Sequence, residues 1–160
     1  MRIGYGFCAA RCKEKDDRFI ILAGKKIEWR VGLFSDGEHD RDVVALAAAD
    51  ALVGAMSLGS IKHCTEADFD LKHKTGLQVL TQAARLLQEK CYTLANIDIL
   101  VLLQDIRLAQ YIPEMKQNLS SALDCSEDQI NLKIDQEQWL GYTGSNDGIN
   151  ARAVCLIESK

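Results

Sequence analysis

Six cysteines and three histidines hold most of the metal-binding potential of this 160-residue chain. Cys8 and Cys12 stand four apart, a spacing that suits a shared metal on a helix. The run Arg2 to Phe7 alternates with glycine, however, and reads as a strand, so a zinc knuckle is not indicated. His39 lies in the acidic turn Ser35-Asp36-Gly37-Glu38-His39-Asp40, where a solvated loop histidine is the plainer reading. Cys8, His39 and either His63 or Cys64 are donors of the types zinc accepts. Asp135 and Glu137 could hold a cation, but they read first as solvated surface acids. Asp50 is a lone acid in an apolar helix. Burying it uncompensated is costly, so it is expected to accept hydrogen bonds rather than catalyse. There is no CxxC pair, and the irregular cysteine spacing favours reduced thiols.

The elements that must position these groups are legible as a pattern. Arg18 to Leu22 and Ile27 to Trp29 flank the turn Ala23-Gly24-Lys25-Lys26 and read as a hairpin. Asp42 can cap a helix running to about Leu58, with Gly59 to end it. That helix is apolar on nearly every side, which predicts burial. A second helix is expected from about Thr75 to Lys90, with Leu77, Leu80, Ala84 and Leu87 on one stripe. Asn96 to Leu103 reads as an interior strand. Pro113 suits the first turn of a helix that buries Met115, Leu119 and Leu123. Ile130 to Ile134 alternates as a strand, Gly141 to Gly148 reads as a glycine-rich loop, and Ala151 to Ile157 as the last strand. The pattern predicts one α+β domain over residues 1–160, with four or five strands and three helices on one face.

Composition fits that class. Hydrophobic residues make up 48% and charged residues 26% of the chain, as in ordinary globular proteins. The net charge of −4 lacks the basic footprint of a nucleic-acid binder. No apolar run approaches the roughly 20 residues that span a bilayer. The start of the chain has no signal-peptide pattern, so a cytoplasmic protein is expected.

Several short motifs share one further property, their order. The chain opens Met1-Arg2-Ile3-Gly4-Tyr5-Gly6-Phe7. Asp42-Val43 is followed by Asp50-Ala51-Leu52-Val53-Gly54-Ala55. Then come Cys91-Tyr92-Thr93-Leu94-Ala95-Asn96-Ile97-Asp98, Ile112-Pro113 with Met115, and Leu140-Gly141-Tyr142-Thr143-Gly144 before Gly148-Ile149. From Met1 to about Ala153 the chain resembles the 2-C-methyl-D-erythritol 2,4-cyclodiphosphate synthase family. Each motif alone is weak, and their common order is what carries the resemblance.

The resemblance implies a homotrimer with active sites at subunit interfaces. It also implies zinc beside a second divalent metal, usually magnesium. In that family zinc polarises a phosphoryl oxygen, the substrate's terminal phosphate attacks, CMP leaves and a cyclic diphosphate forms. The family's metal ligands are not retained here. Its Asp-x-His falls on Cys8 and Ala10, and its third ligand, a histidine, falls on Leu46. Its His-Ser-Asp-Gly-Asp corresponds to Glu38-His39-Asp40-Arg41-Asp42, so Glu38 replaces a phosphate-facing histidine, while Ser35 belongs to a retained inner tripeptide displaced along the chain. The Asp-x-Gly after the first helix reads Ser60-Ile61-Lys62. The catalytic threonine falls on Gln136 and a metal-binding glutamate on Gln138, after the retained Lys133. Gln104 and Arg107 keep features of the cytosine and diphosphate loop. The axis arginine becomes Ser145.

The expectation is therefore a family fold without zinc-dependent lyase activity, binding a cytidine nucleotide or phosphorylated metabolite. Gln104, Arg107, Lys133 and Ser35 would be the contacts, and no cofactor is expected. The alternatives are an active synthase that holds zinc and magnesium through new ligands such as Cys8 and His39, or a non-catalytic trimeric interaction module.

Overall fold

A computed structural model describes residues 1–13, 19–29, 32–33, 40–104 and 107–160. Among these the strands are β1 (Arg2–Lys13), β2 (Phe19–Leu22), β3 (Lys25–Glu28), β4 (Gly32–Leu33), β5 (Tyr92–Leu102), β6 (Ile130–Asp135) and β7 (Gly148–Ser159). The helices are α1 (Val43–Ala55), α2 (Gly76–Glu89), α3 (Ile112–Leu123) and the single turn α4 (Gly141–Gly144). Four long strands run β1-β7-β5-β6, with the two-residue β4 added on the free edge of β1. β7 is antiparallel to both β1 and β5, while β5 and β6 are parallel. The expected single α+β domain is the architecture found.

Local chemistry accounts for most of the helix ends. The Asp42 carboxylate accepts the Val44 and Ala45 amides at 3.1 Å, closing the first turn of α1. The same carboxylate accepts the amides of Ala23 at 2.9 Å and Gly24 at 2.7 Å. One buried side chain thus ties the β2–β3 turn to the start of α1. Burial pushes the Asp42 carboxyl up to about 6, against the pull of the amides of Ala45, Gly24 and Ala23. Thr75 and Gln78 form a capping box at α2. Pro113 sits in the first turn of α3, and left-handed Asp124 ends it.

The core lies between the sheet and α1, α2 and α3. Ile97, Ile99, Val101, Ala151, Ala153 and Ile157 are fully buried on the helix side. α1 lies almost against β1. A Cβ on Gly4 would stand 1.9 Å from the Ala51 carbonyl oxygen, and one on Gly6 2.0 Å from that of Ala47. Only glycine permits that approach, and the alanines of α1 keep the facing side equally thin. The opposite face of the sheet leaves Ile3, Tyr5, Phe7 and Val154 exposed.

The structure corrects several boundaries. β1 continues past Phe7 to Lys13, because β7 pairs with it as far as Arg11 and β4 takes over at Cys12. β5 begins at Tyr92, which pairs with Ser159 of β7, and β7 begins at Gly148, which pairs with Arg11 of β1. α1 stops at Ala55 rather than near Leu58, because the chain turns left-handed at Ser57, before Gly59 is reached. The presumed loop Gly141 to Gly148 contains α4, so the described helices number four rather than three. The β2–β3 hairpin forms its own sheet. It is held by Asp42 and by Asn118, whose Nδ2 donates to the Ala23 carbonyl at 2.9 Å. All six cysteines are free thiols. No helix among the described residues is long and apolar enough to cross a membrane.

Gly6→Ala tests the α1–β1 contact. The added methyl meets backbone rather than a movable side chain, so a loss of about 3 kcal/mol is expected. For a domain of this size that lowers Tm by roughly 6–12 °C. An unchanged urea midpoint would contradict the packing described.

Candidate functional site

Three segments converge on a cavity of about 310 Å³ beside the N-terminal half of α1. β1 contributes Cys8, α1 contributes Leu46 and Asp50, and the turn after α1 contributes Lys62. Asp40 and Arg41, just before the Asp42 cap, complete this side, and Lys74 and Gly76 border the other. The positions follow from packing. The glycine contacts press β1 onto α1, and Cys8 is the next residue on the same strand face after Gly4 and Gly6. Leu46 lies one turn into α1, above it.

The charges around the cavity are ordered. Asp40 accepts the Gly76 amide at 3.0 Å and the Asp42 amide at 3.2 Å. Asp50 accepts the Ile61 amide at 3.0 Å, which meets the expectation that it serves as an acceptor. Lys74 donates to Gln82 Oε1 at 2.7 Å. Burial pushes the Cys8 thiol up to about 11, while Lys62 and Arg41 pull in the other direction without reversing it. Cys8 is therefore a neutral thiol at physiological pH.

Zinc needs deprotonated nitrogen, oxygen or sulfur donors in a tetrahedral set. Ala10 and Leu46 offer no donor, which leaves Cys8 as a single donor where zinc needs three protein ligands or more. No group of three or more His, Cys, Asp or Glu residues placed to hold a metal occurs among the described residues. The residues present at the three positions do not fit zinc. Cys8 and Leu46 share the cavity. Ala10, on the same face of β1, is buried and is not among the cavity's described lining residues. Ser35, Glu38 and His39 lie outside the described residues.

The other expected site residues gather elsewhere. Gln104 is buried; its carbonyl accepts from Gln136 Nε2 at 2.9 Å, and its side-chain oxygen from the Trp139 amide at 3.4 Å. Glu137 accepts from the Thr143 hydroxyl. Gln138 is exposed, with a left-handed φ of 50°. Arg107 is also exposed. Lys133 pairs with Asp98 at 2.6 Å on the outer sheet face. Ser145 is bonded to Asp147 at 2.5 Å.

These groups share one end of the sheet, because β1, β5 and β6 all run the same way. Ala9, Asn150, Leu102 and Asp135 lie in one row across it. Three strand spacings separate Ala9 from Asp135, roughly 14 Å. One chain therefore does not bring the Cys8 cavity and the Gln136 segment onto one phosphate. Arg41, Lys62 and Lys74 are cavity residues that reasoning from sequence missed as a group. The signal available was that Arg41 and Lys62 stand where the resembled motifs carry glycine.

A thin helix–glycine contact, a mixed four-stranded sheet and a cavity at the strand ends define a class of small α+β domain with its site at one edge of the sheet. The model of the YgbB family matches residues 1–158. The 2-C-methyl-D-erythritol 2,4-cyclodiphosphate synthase of Clostridium novyi is 38% identical over the full length of both chains. Among solved structures, the bifunctional IspDF of Campylobacter jejuni superposes with a TM-score of 0.87 at 30% identity, over 99% of this chain and 42% of that one. The CDP complex of Plasmodium falciparum IspF gives 0.84 at 27% identity, over 99% and 96%. The chain belongs to the YgbB family, that of the 2-C-methyl-D-erythritol 2,4-cyclodiphosphate synthases.

The state of Cys8 can be measured directly. Its alkylation by iodoacetamide should rise about tenfold per pH unit from pH 7 to 10, as expected of a thiol titrating near 11. Exposed Cys91 should react first at pH 7.5. Peptide mass mapping that finds Cys8 modified as fast as Cys91 would show a thiolate there.

Proposed function

We propose that this chain is a member of the family that keeps the fold and a phosphate-directed site but does not run the zinc-dependent cyclisation. The observation that carries this is the chemistry at three positions: side chains without donors at Ala10 and Leu46, which leave Cys8 as a single donor. Gln136 and Gln138 add to it, since neither supplies the hydroxyl or the charge of the residue it replaces. The ligand class is a cytidine nucleotide or a phosphorylated metabolite. Support comes from the CDP complex of the Plasmodium falciparum relative and from Gln104, which is buried and held at the strand ends. Gln104, Arg107 and Lys133, with Ser35, are the proposed contacts, and no metal cofactor is required for binding.

A homotrimer is part of the same proposal. Ile3, Tyr5, Phe7 and Val154 form an exposed apolar face on the sheet side away from the helices. Trp139 and Leu140 are 70% and 71% exposed beside the Gln136 segment. These exposed apolar surfaces are the proposed contacts between copies.

The second reading is an active synthase with other zinc and magnesium ligands. Full-length identity of 38% to a protein named as a synthase favours it. The two separate in one assay. With zinc and magnesium supplied, CMP release from the cytidine diphosphate substrate of the family should be at least 1,000-fold slower than from an intact synthase. A comparable rate would refute loss of activity and establish the second reading. Sedimentation should give three times the chain mass; a stable monomer would refute the trimer.

A further inference from the structure

We propose that copies of this chain meet head to tail along the edges of their sheets, with Arg11 of one copy paired to Asp135 of the next. This rests on the homotrimer proposed above and names the contact that sets its register. Arg11 belongs to β1, at one side of the sheet, where β4 pairs only with Cys12 and Lys13. Asp135 ends β6, at the other side. The row Ala9, Asn150, Leu102 and Asp135 crosses the sheet on its outer face, and Arg11 follows Ala9 on that face. Arg11 is exposed and makes no hydrogen bond or ion pair with any described residue. Asp135 is exposed too; its carboxylate accepts the Gln136 amide at 2.7 Å and meets no described cation. Nearby Asp98 is already held by Lys133 at 2.6 Å. About 14 Å of sheet separates the two edges, so Arg11 and Asp135 of one chain do not meet.

The charges therefore stand at opposite edges, on one face and at one end of the sheet. Contacts between like edges would set Arg11 against Arg11 or Asp135 against Asp135. Contacts between unlike edges set each cation against a carboxylate, and heterologous contacts of this kind can close into a ring. Every copy in a ring uses each edge once, so neither charge is left over. Stacking two outer faces directly is disfavoured by Arg152. It is exposed in the row Phe7, Arg152, Leu100 and Lys133, which holds no acid, and stacking would bury it unpaired. An edge contact leaves Arg152 in solvent. The exposed side chains of Ile3, Tyr5 and Phe7 run along β1 beside Arg11, which places the pair at the rim of an apolar contact. Rim charges choose partner and register more than they add affinity. The chain itself carries the complementary charge, so a second copy is the occupant that this pattern selects.

The test is a sedimentation dilution series on the whole chain, fluorescently labelled so that dilution reaches half dissociation. The wild type is expected as a trimer. Arg11→Glu and Asp135→Arg should each raise the half-dissociation concentration about tenfold or more, because like charges then face each other at every contact. The two substitutions combined re-form the pair with its signs exchanged and should return to within about threefold of the wild type. That recovery separates a lost contact from a folding defect. A wild-type trimer whose single variants dissociate no earlier overturns this proposal and leaves the homotrimer standing. So does a combined variant that dissociates as early as the single ones. A wild-type dimer or stable monomer overturns both.

Discussion

The approach of α1 to β1 across Gly4 and Gly6 is the contact on which the rest of the molecule depends. At ordinary helix–sheet distances the side chains of both elements fill the gap. Here the strand contributes no side chain at two successive inward positions, and the helix meets it with Ala47, Ala51 and Ala55. Backbone then lies against backbone, and the helix has little freedom to slide or rotate. That fixes which residues of α1 face Cys8. It also explains why α1 is buried nearly all round, with β1 and β7 on one side and α2 on another.

Asp42 transmits that constraint to the rest of the site. Its carboxylate serves four amides, two from α1 and two from the hairpin turn at Ala23 and Gly24. A buried carboxylate is costly to desolvate, and four donors offset that cost. Asp40 repeats the device one step earlier, joining this segment to the start of α2 through Gly76. Arg41 lies between these two anchored residues. Its backbone conformation is therefore imposed by its neighbours, and its side chain is delivered to the cavity edge.

Much of this was legible along the chain. Asp42 and Pro113 announced their helices because helix starts are local chemistry, decided within three or four residues, and α2 was legible from its apolar stripe. The ordered motifs gave the family, since glycine and alanine spacings encode the helix–strand contact directly. Strand lengths were less legible. Residues 8–13 carry no strong alternation and become strand because β7 and β4 supply hydrogen bonds from far along the chain. α4 escaped notice because a four-residue helix has no hydrophobic period to detect. The hairpin was legible, but its separation from the main sheet was not, because that depends on side-chain anchors from Asp42 and Asn118.

For the site, the sequence by itself determined which donors are present and which are missing, because ligation is a property of side-chain type: alanine and leucine bind no metal in any fold. It also determined the family. Only the tertiary structure decided that Cys8, Leu46, Arg41 and Lys62 share one cavity while Gln104 and Gln136 follow strands two and three spacings away. Convergence of residues from separate segments is a matter of sheet order and helix seating, and no local pattern in the chain records it. Likewise the protonated state of Cys8 follows from burial, which the surrounding structure imposes on an otherwise ordinary thiol.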